Sequence, residues 1–84
     1  MYQIFFKASA IKEIKRLPLS VVKKIKDIVN ILKNNPFPIG FKELHGFKNL
    51  YRLRINDYRV VYLVEKSIKI ITITRIAHRR GVYK

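Results

Sequence analysis

The sequence predicts an α+β domain: a mostly antiparallel four-stranded sheet in the order β-α-α-β-β-β, with a helical hairpin packed on one face. Three observations carry this reading. Apolar residues recur at helical spacing between residues 11 and 32, and from Leu50 onward the period changes to two. A two-residue link, Asn56-Asp57, then splits the second half into a tight hairpin. At 84 residues the chain is read as one domain, 1–84. A chain of this size buries only roughly 60% of its unfolded surface, so an open charged face is a more natural functional surface than a deep pocket. Its 49% hydrophobic content argues against intrinsic disorder.

The elements follow in order. Residues 2–7 form a short β-branched and aromatic run, read as an edge strand. Ser9 offers a helix cap; Ile11, Ile14 and Leu17 follow at helical spacing, and Pro18 stops the first helix near Leu17. Ser20 is the next cap. Val21, Ile25, Ile28 and Leu32 then make one apolar stripe, with Lys23, Lys24, Lys26, Asp27, Asn30 and Lys33 on the other face. Asn34-Asn35-Pro36 ends this second helix, and residues 35–40 form a loop. Residues 41–49 are ambiguous, with room for a short strand or a turn around Gly46. Leu50–Ile55 and residues 58–64 are the strands of the hairpin. Glu65-Lys66-Ser67 is a turn, and residues 68–76 are the last strand. A basic tail closes the chain. With the helices on one face of the sheet, no sequence remains to cover the other.

The charge is placed unevenly. The formal net charge is +14, from 19 Lys and Arg against 5 Asp and Glu, and no acidic residue follows Glu65. Such an imbalance points to nucleic acid as partner ahead of an anionic membrane or an acidic protein. A membrane-surface peptide would gather its apolar residues on one long helix, and no apolar run approaches the ~20 residues needed to span a bilayer. A cytoplasmic protein with no membrane partner is expected. The chain has no cysteine and two histidines, His45 and His78, so no disulfide and no protein metal site are expected.

Six of the seven arginines lie between Arg52 and Arg80, while most lysines precede Tyr51. Arginine is costly on a half-buried sheet surface unless its guanidinium has work there; its fork binds phosphate through two hydrogen bonds and stacks on bases. Arg52 and Arg54 share one strand face, opposite Leu53 and Ile55. A tight hairpin brings Arg59 or Tyr58 close to Arg54. Arg75 ends the third strand of the second half, and His78, Arg79 and Tyr83 follow in a segment able to fold over the sheet edge. The set suits a phosphodiester with stacked bases. Each has a plainer alternative. Arg52 and Arg54 also fit the solvated face of an amphipathic strand, Tyr51, Tyr58 and Tyr62 fit core packing, and His45 fits a turn. The residues alone support RNA binding; cutting RNA does not follow from their spacing.

Leu44-His45-Gly46, Leu50-Tyr51-Arg52-Leu53-Arg54, Asp57-Tyr58-Arg59-Val60-Val61-Tyr62 and His78-Arg79-Arg80-Gly81-Val82-Tyr83 together resemble the RelE/ParE toxin superfamily of type II toxin–antitoxin systems, over essentially the whole chain. On its RelE branch the resemblance implies a ribosome-dependent mRNA endonuclease. The toxin enters the A site, in contact with mRNA and 16S rRNA, and the scissile 2′-OH attacks its own phosphate without metal or cofactor. It implies catalytic roles for Arg59 and Arg79 on the phosphate, and for Tyr83 in base stacking or proton transfer. Arg52, Arg54 and Arg80 would position the RNA. Relatives often carry lysine where this chain has Arg52 and Arg54; arginine does not lose its proton, so His78 becomes the candidate base, with Tyr83 next. The resemblance also implies a cognate acidic or amphipathic antitoxin. Two other functions stay open: a ParE-like inhibitor of DNA gyrase, and a basic RNA-binding module without activity.

Overall fold

The computed structural model describes residues 1–78; Arg79, Arg80 and Tyr83 lie outside the described residues. Among the described residues the elements are β1 (Gln3–Phe6), α1 (Ala8–Ile14), α2 (Leu19–Asn34), β2 (Lys42–Glu43), β3 (Leu50–Ile55), β4 (Tyr58–Glu65) and β5 (Ile70–His78). They form one sheet in the order β1-β5-β4-β3-β2. The α+β class and the helical layer are as expected, but the sheet has five strands rather than four. The added strand is β2, two residues from the ambiguous segment, paired antiparallel with β3. So short a strand has no periodicity of its own and forms because Arg52 and Tyr51 offer it a ladder edge. β1 is an edge strand as expected, and it runs parallel to β5, the one parallel pair among the described residues. Both helices lie on one face. Ala10 of α1 and Val21, Ile25 and Leu32 of α2 are buried against Leu53, Ile55, Val60, Tyr62, Ile71, Ile73 and Ile76 of the sheet. No described helix is long and apolar enough to cross a membrane.

Helix caps depart from the expected pattern. α1 starts at Ala8, so Ser9 lies inside it, and its hydroxyl donates instead to the Thr74 carbonyl at 2.9 Å. α2 starts at Leu19 behind Pro18, whose carbonyl accepts from the Val21 and Val22 amides, so Ser20 caps nothing. α1 ends at Ile14 rather than Leu17, because Arg16 and Leu17 turn back onto the carbonyls of Glu13 and Ile14.

α1 has a structural task that its short length conceals. β1 pairs only with residues 70–73 of β5, which leaves the next stretch of that edge unpaired on the β1 side. Ser9 takes the Thr74 carbonyl there, and Glu13 accepts the Ile76 amide at 2.7 Å while its other oxygen accepts from Arg75 Nε at 2.9 Å. The helix thus covers an edge that would otherwise be open to pairing. Glu13→Ala is expected to cost about 1–2 kcal/mol by stranding that amide, and Glu13→Gln less, because an acceptor oxygen remains. Urea unfolding of the two variants measures the difference.

Tyr62 is fully buried, and its hydroxyl donates to the Pro36 carbonyl at 2.8 Å. Tyr51 packs against its ring, and Phe37 and Phe41 pack on Tyr51 and on each other, so the loop before β2 is held down by rings. Burial, with Tyr51 adding to it, pushes the Tyr62 phenol far above its ordinary 10.0. Above that pH the unfolded chain gives up this proton and the folded chain keeps it, so stability falls as pH rises past 10. Tyr62→Phe is expected to be about 1 kcal/mol less stable at neutral pH. Its stability should fall less steeply than wild type in alkaline unfolding titrations.

Candidate functional site

The site is built by strand parity. In β3, Leu53 and Ile55 enter the core, so Arg52 and Arg54 stand on the face away from the helices. The Asn56-Asp57 link sets the register of β4, with Asn56 at φ +52°, a conformation asparagine tolerates. Ile55 then pairs with Tyr58, and Arg54 lies directly opposite Arg59. Two like charges opposite each other destabilise a hairpin. Arg59 is half-buried, and its Nε is shielded from solvent. Guanidiniums placed side by side in this way can hold an anion between them.

β5 joins the face through an irregularity. Tyr58 to Val61 pair with His78 to Arg75, but Tyr62 pairs with Ile73, which leaves Thr74 as an extra residue. An unbroken alternation would turn Arg75 to the same side as Ile71 and Ile73, into the core. The bulge resets the parity: Ile76 is buried, and Arg75 comes into line with Val61 on the open face.

Two cross-sheet rows result. Lys42, Arg52, Val61 and Arg75 are paired in register across β2, β3, β4 and β5. Arg54, Arg59 and Ala77 form the next row toward the hairpin tip. Arg54 also lines a shallow groove with Lys24 and Asp27, where Lys24 Nζ donates to Asn56 Oδ1 at 2.9 Å.

The open face is not bare. The segment after β2 turns at Gly46, at φ +81°, and rejoins β3 through Asn49, at φ +63°. Its backbone is pinned at both ends: the Leu44 amide donates to the Leu50 carbonyl, and the Val64 amide to the Asn49 carbonyl. This loop overhangs the sheet and closes a groove of about 680 Å³. Leu44, Phe47, Leu50 and Val61 line it with apolar surface, and His45, Arg52 and Arg75 add polar groups. Val61 is only 4% exposed despite facing away from the helices.

Of the residues singled out from sequence, Arg52, Arg54 and Arg59 come together on this face. His78 does not join them. It pairs with Tyr58, and their rings pack edge-on at 5.6 Å, on the helix side of the strand end. Arg79, Arg80 and Tyr83 lie outside the described residues. Sequence reasoning missed Lys42, which sits in the ambiguous segment with no pattern to mark it. It also missed His45 and Phe47 as groove residues, because only the fold brings their loop over the sheet.

Comparison with known proteins agrees with this architecture. The family profile of the ParE toxin of type II toxin–antitoxin systems, parDE, matches residues 4–83. RelE1 of Methanocaldococcus jannaschii is 42% identical over 77 residues, covering 88% of this chain and 86% of that protein. Toxin RelE of Mycobacterium tuberculosis is 30% identical, over 99% of this chain and 87% of its own length. Among solved structures, the archaeal RelE–RelB complex from Pyrococcus horikoshii OT3 aligns with a TM-score of 0.84 and 28% identity, covering 96% of this chain and 98% of that one. The RelB–RelE antitoxin–toxin complex from Methanococcus jannaschii aligns at 0.80 and 26%, covering 95% of each chain.

Proposed function

Because this chain belongs to the RelE/ParE toxin superfamily, we propose that it is a ribosome-dependent endoribonuclease that cuts mRNA in the A site. The observation that carries the reading is the Arg54–Arg59 pair, opposed across the hairpin and flanked by the Lys42–Arg52–Arg75 row. Two opposed guanidiniums beside a second row of cations suit a phosphodiester backbone. In the reaction the RNA's own 2′-OH attacks the adjacent phosphorus, the bond to the 5′-oxygen breaks, and a 2′,3′-cyclic phosphate remains. The protein's task is to hold the strand and stabilise the charge that develops on the phosphoryl oxygens. Arg59 is assigned that charge, together with Arg79 of the tail. Arg52, Arg54 and Arg80 position the backbone, and Tyr83 stacks on a base or transfers a proton. His78 remains a candidate base that the RNA would reach around the strand end, not across the open face. Arginine at 52 and 54 leaves those positions to binding rather than to proton abstraction.

The partner in this reading is a cognate antitoxin with an acidic or amphipathic segment. The RelE neighbours in the archaeal complexes are bound to RelB, and a +14 chain favours an acidic mate. The toxin would act in the cytoplasm, where ribosomes and antitoxin meet.

The test is primer extension on a defined mRNA in a purified translation system. New 3′ ends inside A-site codons, absent without ribosomes, are expected. The matching family profile bears the ParE name, so gyrase poisoning is the second reading. Gyrase-dependent DNA breaks with intact mRNA would replace the first with it.

A further inference from the structure

We propose that Phe47 is a stacking platform for one unpaired RNA base, which enters the groove beneath the 44–49 loop while its neighbouring phosphates lie on the two cation rows. The inference rests on the RNA-binding reading above and adds to it a base subsite. Phe47 is 61% exposed and lines the groove, on the arginine-rich face of a strongly basic chain. A solvent-facing ring beside cations is the surface that single-strand binders offer to bases, since every base has a π-face. The groove supplies the rest of the environment. Leu44, Leu50 and Val61 give it apolar walls, and at about 680 Å³ it has the volume of a small-ligand site.

Charge decides which occupant fits. Arg52 lies in the groove itself, beside Arg75, whose Nε is held by Glu13, and the Arg54–Arg59 row begins two residues further along β3, roughly 6.8 Å away. A purely apolar ligand would leave the cations unused, and a bare polyanion would leave the walls and the ring unused. A nucleotide uses both: its base is flat and apolar on its faces, and its phosphates reach the arginines on either side. The loop's attachment at Leu44 and Asn49 holds the backbone that carries Phe47 relative to those rows, which lowers the ordering cost of binding.

The chain contains no tryptophan, so Phe47→Trp creates a single indole reporter at the site. With the full chain at low salt, hexameric oligoadenylate is expected to quench that indole. A strand of the same length made of abasic ribose phosphates should bind without quenching. Phe47→Ala is expected to weaken hexaadenylate binding about tenfold and to leave the abasic strand unaffected, whereas Arg52→Ala weakens both. Equal urea midpoints establish that these surface variants fold alike. If Phe47→Ala binds hexaadenylate as wild type does while Arg52→Ala weakens both strands, the base subsite is wrong and the basic-face reading stands. The groove then belongs to something else, such as an apolar side chain of an acidic peptide. If neither strand binds the wild-type chain, both fall together.

Discussion

Arg59→Ala is expected to lower the rate of mRNA cleavage on programmed ribosomes by a factor of about 10²–10³, the usual loss when one preorganised donor to a developing oxyanion is removed. The fold should survive the change. Arg59 stands opposite Arg54, so its removal relieves a like-charge pair worth a few tenths of a kcal/mol up to about 1. Against that stands lost packing of the side-chain stem, which is half-buried between strands. Arg59→Met keeps the stem and drops the charge, so it isolates the electrostatic part and should be as inactive as alanine. Arg59→Lys keeps a charge without the bidentate fork and should recover only part of the rate. Single-turnover cleavage read beside urea unfolding separates chemistry from folding. Wild-type rates in both Arg59→Ala and Arg59→Met would remove Arg59 from the site.

Leu32→Ala carries the largest expected cost in stability, about 2–5 kcal/mol. Leu32 is completely buried, on the last turns of α2. There the neighbouring Lys33 carbonyl accepts the Tyr2 amide, so the helix end and the edge strand β1 are joined. A cavity at this point loosens α2 and β1 together. Domains of this kind are stable by only about 5–15 kcal/mol, so the variant should lose a large share of the whole. In thermal unfolding each kcal/mol moves the midpoint by roughly 4–8 °C in a domain of this length. Ile31, one residue earlier and 49% exposed, is the control: Ile31→Ala should shift the midpoint by much less. Similar losses at both positions would mean that α2 does not pack on the face described.

The contrast between these two residues shows why parts of the fold are readable in a sequence. Leu32 belongs to a stripe that also holds Val21, Ile25 and Ile28, and a helix imposes that spacing whatever lies beneath it. The two-residue link brings Arg59 or Tyr58 close to Arg54, since the length of a tight turn limits the pairing of both strands, and the register in the structure selects Arg59. Ser9, in contrast, is a plausible helix cap by every local rule. It serves β5 instead, because the Thr74 carbonyl it meets lies 65 residues away in the chain. Glu13 carried no signal at all for the same reason.

Element types, their order, the hairpin and the arginine face of β3 were therefore determined by the sequence itself, through interactions between residues only a few positions apart. The tertiary structure alone decided the parallel docking of β1 on β5, the fifth strand, the overhanging loop and the direction of Arg75. The physical reason is parity. One extra residue at Thr74 reverses which side every later residue of β5 faces, and only pairing with β4 determines where that residue is inserted. That single shift brings Arg75 into the cation row and sends His78 to the helix side.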